Sequence, residues 1–239
     1  MDARARLAPL TSAPDESALL FDVDGVLAPI VARPELSEVA EETRSELSRL
    51  SGRYRLVACV SGRAGEDARR LVGVDGIDVV GNHGLELDSR AEEFAGAIAE
   101  FRAGIERPVE DKRLSLSLHY REAVDERAAV DELRRIAERA GAAGLVARWG
   151  RKVLEIRPPV EADKGLAVRT LVARAGATRA LYAGDDTTDL DAFAGLDAAA
   201  LEAAVKVAVA SEEGPVELRE AADVVVESTQ ELTNLLKLL

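Results

Sequence analysis

Ala18-Leu19-Leu20-Phe21-Asp22-Val23-Asp24-Gly25-Val26-Leu27 is the stretch that decides the fold: four apolar residues in a row, then two carboxylates and a glycine. An apolar run without alternation suits a strand buried on both faces of a parallel sheet. The pattern recurs twice, where Leu56-Val57-Ala58-Cys59-Val60 runs into Ser61 and Ala180-Leu181-Tyr182-Ala183-Gly184 runs into Asp185. Helices are expected between these strands, over 37–50 with Ser37 as N-cap, over 64–72 and over 164–175. The runs Val205–Ala210 and Val224–Val226 extend the sheet. Strands alternating with helices specify an α/β, doubly wound, mainly parallel Rossmann-like core, in which ligands bind outside the carboxyl ends of the strands. Asp22, Ser61 and Asp185 all stand at such ends.

Residues 85–160 follow another rule. Leu114-Ser115-Leu116-Ser117-Leu118-His119-Tyr120-Arg121 alternates strictly, which puts the leucines and Tyr120 on one face and Ser115, Ser117, His119 and Arg121 on the other. Val153-Leu154-Glu155-Ile156-Arg157 repeats the alternation with Glu155 and Arg157 on the polar face. Helical segments near 92–106 and 125–140 supply cover for the apolar face. The expected organisation is therefore a core of residues 1–84 and 161–239 with a smaller α/β cap, 85–160, inserted into it. Trp149 and Cys59 read as packing residues, and His83, between Asn82 and Gly84, as a residue that shapes a loop.

Composition narrows the class of function. Of 239 residues, 31 are Lys or Arg and 44 are Asp or Glu, a formal charge of −13 that repels a phosphate backbone and argues against nucleic-acid binding. The charge is −4 over 1–84, −1 over 85–160 and −8 over 161–239. The single cysteine cannot form an internal disulfide or a thiolate metal cluster, which suits a reducing compartment. Before Pro9 the chain has too few apolar residues for a signal peptide, and no window approaches the ~20 apolar residues of a membrane span. A cytoplasmic, monomeric protein without a membrane partner is the expectation.

The residues at the strand ends have a common chemistry. Two carboxylates two residues apart, Asp22 and Asp24, with Gly25 to bend the backbone, can divide the roles of nucleophile and proton donor. Asp185-Asp186-Thr187-Thr188-Asp189 offers hard oxygen ligands of the kind Mg²⁺ prefers, though Asp189 also suits a helix N-terminus. So many acids brought together require a cation. Ser61-Gly62-Arg63 adds a hydroxyl, loop N–H groups and a guanidinium, and Asp163-Lys164-Gly165 adds an ammonium. Together these make a phosphoryl-transfer site.

The set DVDGVL, SGR, DKG and GDDTTD resembles the haloacid dehalogenase superfamily of phosphohydrolases. The longer strings FDVDGVLAPIV, GNHGLEL, VEDKRLSLSLHYR, KVLEIRPPVEADKG and GDDTTDLDAF are similar to the trehalose-6-phosphate phosphatase family within it, over about residues 18–195. Val26 and Leu190 depart from that family's usual Thr and Glu. The resemblance implies Asp22 as nucleophile, forming an aspartyl-phosphate, and Asp24 as general acid and then base. It implies Ser61 and Lys164 as holders of the phosphoryl oxygens. It further implies Mg²⁺ bound by Asp22, the Asp24 carbonyl and Asp185, with Asp186 and Asp189 as further acids. Arg63, Asn82, Glu110, Lys112, His119, Arg121 and Glu155 match positions that recognise the sugar. The implied activity is Mg²⁺-dependent hydrolysis of the small molecule trehalose 6-phosphate. The alternatives are the same chemistry on sucrose 6-phosphate or glucosyl-3-phosphoglycerate, a phosphomutase, and a non-catalytic sugar-phosphate sensor.

Overall fold

A computed structural model describes residues 3–31, 36–150, 152–210 and 214–239. It divides into two compact units, Met1–Gly84 with Asp163–Leu239, and Leu85–Ala162.

The first unit is built on six parallel strands: β1 (Ser17–Phe21), β2 (Leu56–Val60), β3 (Asp78–Val80), β8 (Arg179–Gly184), β9 (Ala203–Val209) and β10 (Val224–Val226). Their order is β10-β9-β8-β1-β2-β3. Successive β1 residues point to opposite faces and all five are buried, which is why the apolar run shows no alternation. Leu19 and Phe21 join a core with Leu7 and Leu10 of helix α1 (Ala3–Thr11), Leu47 and Leu50 of α2 (Glu41–Ser51), and Ala68 and Val72 of α3 (Gly65–Val72). Helices α7 (Lys164–Ala175) and α8 (Thr188–Ala198) pack against each other and against strands β1, β2, β8 and β9. The chain winds outward from β1 through β2 to β3, then returns to β8 on the other side of β1 and continues to β10. The reversal lies between β1 and β8, the place where such sheets open a crevice at their carboxyl ends.

One expectation changes here. Ser37 does not cap α2, which starts four residues later at Glu41 after an extended Ala40. The acids Glu41 and Glu42 occupy its first turn, where the helix dipole favours them. Strand β3, three residues long and opening on the exposed Asp78, is not among the strands expected from the sequence, yet it completes the sheet beside β2.

The second unit holds an antiparallel sheet in the order β4-β5-β7-β6: β4 (Glu110–Asp111), β5 (Leu116–His119), β6 (Val146–Gly150) and β7 (Val153–Arg157). Leu116, Leu118, Leu154 and Ile156 pack on Ile98 of α5 (Ala95–Ala103) and on Leu133, Ile136 and Ala140 of α6 (Glu126–Ala142). The helix expected over 92–106 is broken at Phe94, between α4 (Ser89–Glu93) and α5. The alternating segment 114–121 contains a shorter strand than its pattern suggests. Leu114 and Ser115 fall in the β4–β5 turn, where Arg113 is left-handed and Lys112 N–H donates to Ser115 C=O. After His119 the chain turns again, with Ala123 N–H donating to Tyr120 C=O, so Arg121 sits on that turn rather than on the strand face. Ser115 and Ser117 are buried rather than solvated. Trp149 is not a core residue: it is 46% exposed and meets Tyr120 edge to face at 6.4 Å. Among the described residues no helix is long and apolar enough to cross a membrane.

Candidate active site

Three strand ends of the first unit supply the site. Asp22 N–H donates to Ala183 C=O (2.9 Å) and Ser61 N–H to Val80 C=O (2.9 Å), so each residue extends the backbone ladder by one step beyond its strand. The side chains are thus anchored by the sheet itself. Gly25 turns the chain with φ +79°, and a Cβ there would lie 2.1 Å from the Asp185 carboxylate. Only glycine lets this loop close down over Asp185.

Lys164 is the first residue of α7, whose N-cap Asp163 accepts from Leu166 N–H at 2.7 Å. Helices α7 and α8 approach so closely that a Cβ on Gly165 would lie 2.3 Å from Asp191 C=O, and one on Gly195 would lie 2.5 Å from Gly165 C=O. That approach is what carries Lys164 to Asp189. Its Nζ, buried, donates to Asp22 Oδ2 (2.5 Å) and Asp189 Oδ1 (2.6 Å). Asp189 also accepts from the Tyr182 hydroxyl (2.7 Å) and from the backbone N–H groups of Asp185 and Asp186 (both 2.9 Å). Sequence reading missed Tyr182, though a tyrosine inside a continuous apolar run needs a partner for its hydroxyl. Asp189 therefore organises the site from below.

Asp22, Asp185 and Asp189 each offer a carboxylate oxygen, and the three lie within 4.8 Å of one another. Asp185 Oδ1 is buried with no hydrogen-bond partner. A buried carboxylate oxygen left unpaired is costly, and a hard divalent cation is the chemistry that would satisfy it. The donor set therefore fits a metal ion.

The charges explain the electrostatics. Burial raises the pKa of Asp22 to about 7, against the pull of Lys164, with Asp189 adding to the rise. Burial, then Asp22 and Asp189, raise that of Asp185 to about 9. Burial works against the Lys164 charge, but Asp189 and Asp22 outweigh it and push its pKa up. One ammonium faces three buried acids, and burial of that surplus negative charge favours proton uptake by Asp22 and Asp185. The linkage has a definite sign. Asp22 and Asp185 bind protons more tightly folded than unfolded, so their contribution is full below about pH 4 and is lost as pH rises through about 7 and 9. Chelated protein is expected to melt several degrees lower at pH 9 than at pH 6, a drop that Mg²⁺ cancels and Asp185→Asn flattens. Equal pH slopes for wild type and variant in thermal melts would contradict this.

The other core residues surround this group. Arg63 grips Asp24 with two bonds, Nε to Oδ2 and Nη2 to Oδ1, both 2.6 Å, and Ser37 Oγ lies 3.5 Å from Asp24 Oδ1. Ser61 Oγ accepts from Arg63 N–H at 3.2 Å. Asn82 is buried, and its N–H donates to Arg63 C=O at 2.7 Å. Asn82, His83 and Gly84 are left-handed in succession, so His83 does shape a loop. Asp186 sits at the rim, its carboxylate engaged by the N–H (2.7 Å) and hydroxyl (3.2 Å) of Thr187. Cys59 is buried, and burial, then Asp22, raise its thiol pKa, so it is an inert packing residue.

The second unit gathers its own polar group. Ser117 is paired in register with Glu110 on one side and Glu155 on the other, and Glu155 is paired with Arg148, a row across one sheet face. His119 Nε2 lies 2.8 Å from Glu110 Oε2, and Lys112 Nζ 3.9 Å from the same oxygen. Arg157, buried, pairs with Glu155 at 3.7 Å and donates to Ala162 C=O at 2.8 Å. Arg121 is separate from this row, exposed on its turn.

Against known proteins, a family model described as trehalose-phosphatase matches residues 20–98 and 107–229. The chain belongs to the trehalose-phosphatase family. Every residue singled out above from Asp22 to Asp189 lies inside the two matched segments. A Mycobacterium tuberculosis protein described as an uncharacterized glycosyl hydrolase is 36% identical over 204 residues, 74% of this chain and 15% of its own length. The trehalose-phosphate phosphatase of Mycobacterium avium is 34% identical over 202 residues, 74% of this chain. The chain spans about half the length of that phosphatase. Among solved structures, the C-terminal domain of C. albicans trehalose-6-phosphate phosphatase superimposes with a TM-score of 0.69 at 20% identity, covering 98% of this chain and 95% of its own. The doubly wound core of the haloacid dehalogenase type, expected from the sequence, is the fold the trehalose-phosphatase family member adopts.

Proposed function

We propose that this chain hydrolyses trehalose 6-phosphate to trehalose and phosphate, with Mg²⁺, through an aspartyl-phosphate at Asp22. Family membership supports the substrate. The observation that carries the chemistry is the buried group of Asp22, Lys164 and Asp185, with one Asp185 oxygen left without a partner.

In the first half-reaction Asp22 attacks phosphorus, the phosphorus–oxygen bond to the sugar breaks, and the departing alkoxide takes a proton from Asp24. In the second, Asp24 takes a proton from water, water attacks the aspartyl-phosphate, and phosphate leaves with Asp22 restored. Lys164 holds one Asp22 oxygen at 2.5 Å, and Val23 N–H holds the other at 2.6 Å, which fixes the carboxylate for attack. Lys164 and the Ser61 hydroxyl donate to phosphoryl oxygens. Asp22 and Asp185 would hold the Mg²⁺, which supplies positive charge against the phosphoryl group. The polar row of Glu110, His119 and Glu155, with Lys112, recognises the sugar hydroxyls.

Phosphate release from trehalose 6-phosphate, sucrose 6-phosphate, glucose 6-phosphate and glucosyl-3-phosphoglycerate, each with Mg²⁺ and with chelator, tests this reading. Trehalose 6-phosphate is expected to give the highest kcat/KM, and chelator to abolish it. Preference for another substrate moves the specificity, and silence on all four removes the catalytic reading.

A further inference from the structure

Arg63 is grouped by resemblance with the residues that contact sugar, yet its geometry gives it a different task. Its guanidinium spends two of its bonds on the Asp24 carboxylate, one to each oxygen at 2.6 Å, in the parallel fork that only arginine forms. The Arg63 side chain is 17% exposed while that of Asp24 is 40% exposed, so the arginine is the anchored partner. The anchoring is visible in the backbone. Arg63 N–H donates to Ser61 Oγ (3.2 Å), and Arg63 C=O accepts from Asn82 N–H (2.7 Å). One residue further on, His83 N–H donates to Ser61 C=O (2.9 Å). The His83 ring stacks so close to Gly62 that a Cβ there would lie 2.6 Å from it. The loop after β2 is thereby zipped to the left-handed turn after β3, and Arg63 projects from it onto the loop after β1.

We propose that Arg63 is a positioning residue for Asp24: it fixes the orientation of the carboxylate that exchanges protons, and it acts on turnover through Asp24 rather than through the sugar. Asp24 needs such a device more than Asp22 does. Asp22 is held by Lys164 and by the backbone N–H of Val23, whereas Asp24 lies two residues farther along the loop, immediately before its turn at Gly25. A carboxylate placed loosely at that distance from the strand would spend most of its time away from the departing oxygen, and proton transfer demands hydrogen-bond reach. Lysine cannot substitute, because a point charge does not define the plane of the carboxylate.

The inference rests on the proton-transfer role given to Asp24 above, and a double-mutant cycle separates the two. With trehalose 6-phosphate and Mg²⁺, kcat and KM are measured for wild type, Arg63→Lys, Asp24→Asn and the double variant, and a thermal melt for each checks folding. Arg63→Lys is expected to lower kcat ~100-fold, the scale of one general acid–base contribution, with KM within ~3-fold of wild type. In the Asp24→Asn background the same change is expected to cost nothing further. A rise in KM with kcat intact overturns the inference and returns Arg63 to substrate contact. Losses that multiply in the double variant overturn it too, since Arg63 would then act independently. If Asp24→Asn alone keeps full activity, the proton-transfer reading fails and the inference falls with it. Arg63→Gln, neutral and shorter, provides a second test of the same outcomes should the lysine variant melt early.

Discussion

Asp22→Asn is expected to lower phosphate release from trehalose 6-phosphate by at least ~10⁴-fold, the scale seen when a nucleophile is removed from a covalent mechanism. The amide has no charged oxygen to attack phosphorus, and nothing else within the group can take its place: Asp189 is occupied by four donors and Asp185 faces the cation site. The fold should survive. Burial already raises the pKa of Asp22, so the fold favours its uncharged form, and the amide oxygen can still accept from Lys164. Phosphate release and a thermal melt on the same sample check both halves. Full activity in a folded variant would refute the covalent role of Asp22.

Lys164→Met has the largest expected effect on stability. The ammonium is buried between Asp22 and Asp189, and methionine has similar length without the charge. Removing one partner of a buried ion pair costs roughly 3–5 kcal/mol, and here Asp22 and Asp189 would both lose the ammonium that offsets their burial. At about 2–4 °C per kcal/mol for a chain of this size, the metal-free melting temperature should fall by roughly 10 °C. Activity should vanish as well. The cause can be isolated by adding Asp22→Asn to Lys164→Met: with one stranded charge removed, part of the lost stability returns. A double variant no more stable than Lys164→Met would show that packing, not charge, is what the lysine supplies.

The core was legible because its signals are local. Apolar runs that end in Asp22, Ser61 and Asp185 state both the buried strand and its functional end, and Asp163 at the start of α7 is a cap visible in four letters. What stayed hidden depends on partners distant in sequence. Tyr182 reads as one more apolar strand residue until Asp189 is brought beneath it by α8. The grip of Arg63 on Asp24 joins residues 39 positions apart and has no sequence signature. The alternation over 114–121 suggested a longer strand than exists, because side-chain periodicity does not register the two turns that truncate it at Leu114–Ser115 and after His119. Ser37 looked like an N-cap by residue type, but its hydroxyl is directed to Asp24 instead.

β1 lies between β8 and β2, with two further strands on one outer side and one on the other, so it and β8 are the two central strands, and the residues leading into Asp22 lie away from both fraying edges. Protection against amide hydrogen exchange is greatest in such central strands, whose opening requires the whole cooperative unit to open. Leu19, Leu20 and Phe21 therefore belong to the last part of the molecule to let in solvent. Loss of the setting of Asp22 is then expected to accompany the opening of this whole sheet, which amide exchange at Leu19–Phe21 would report.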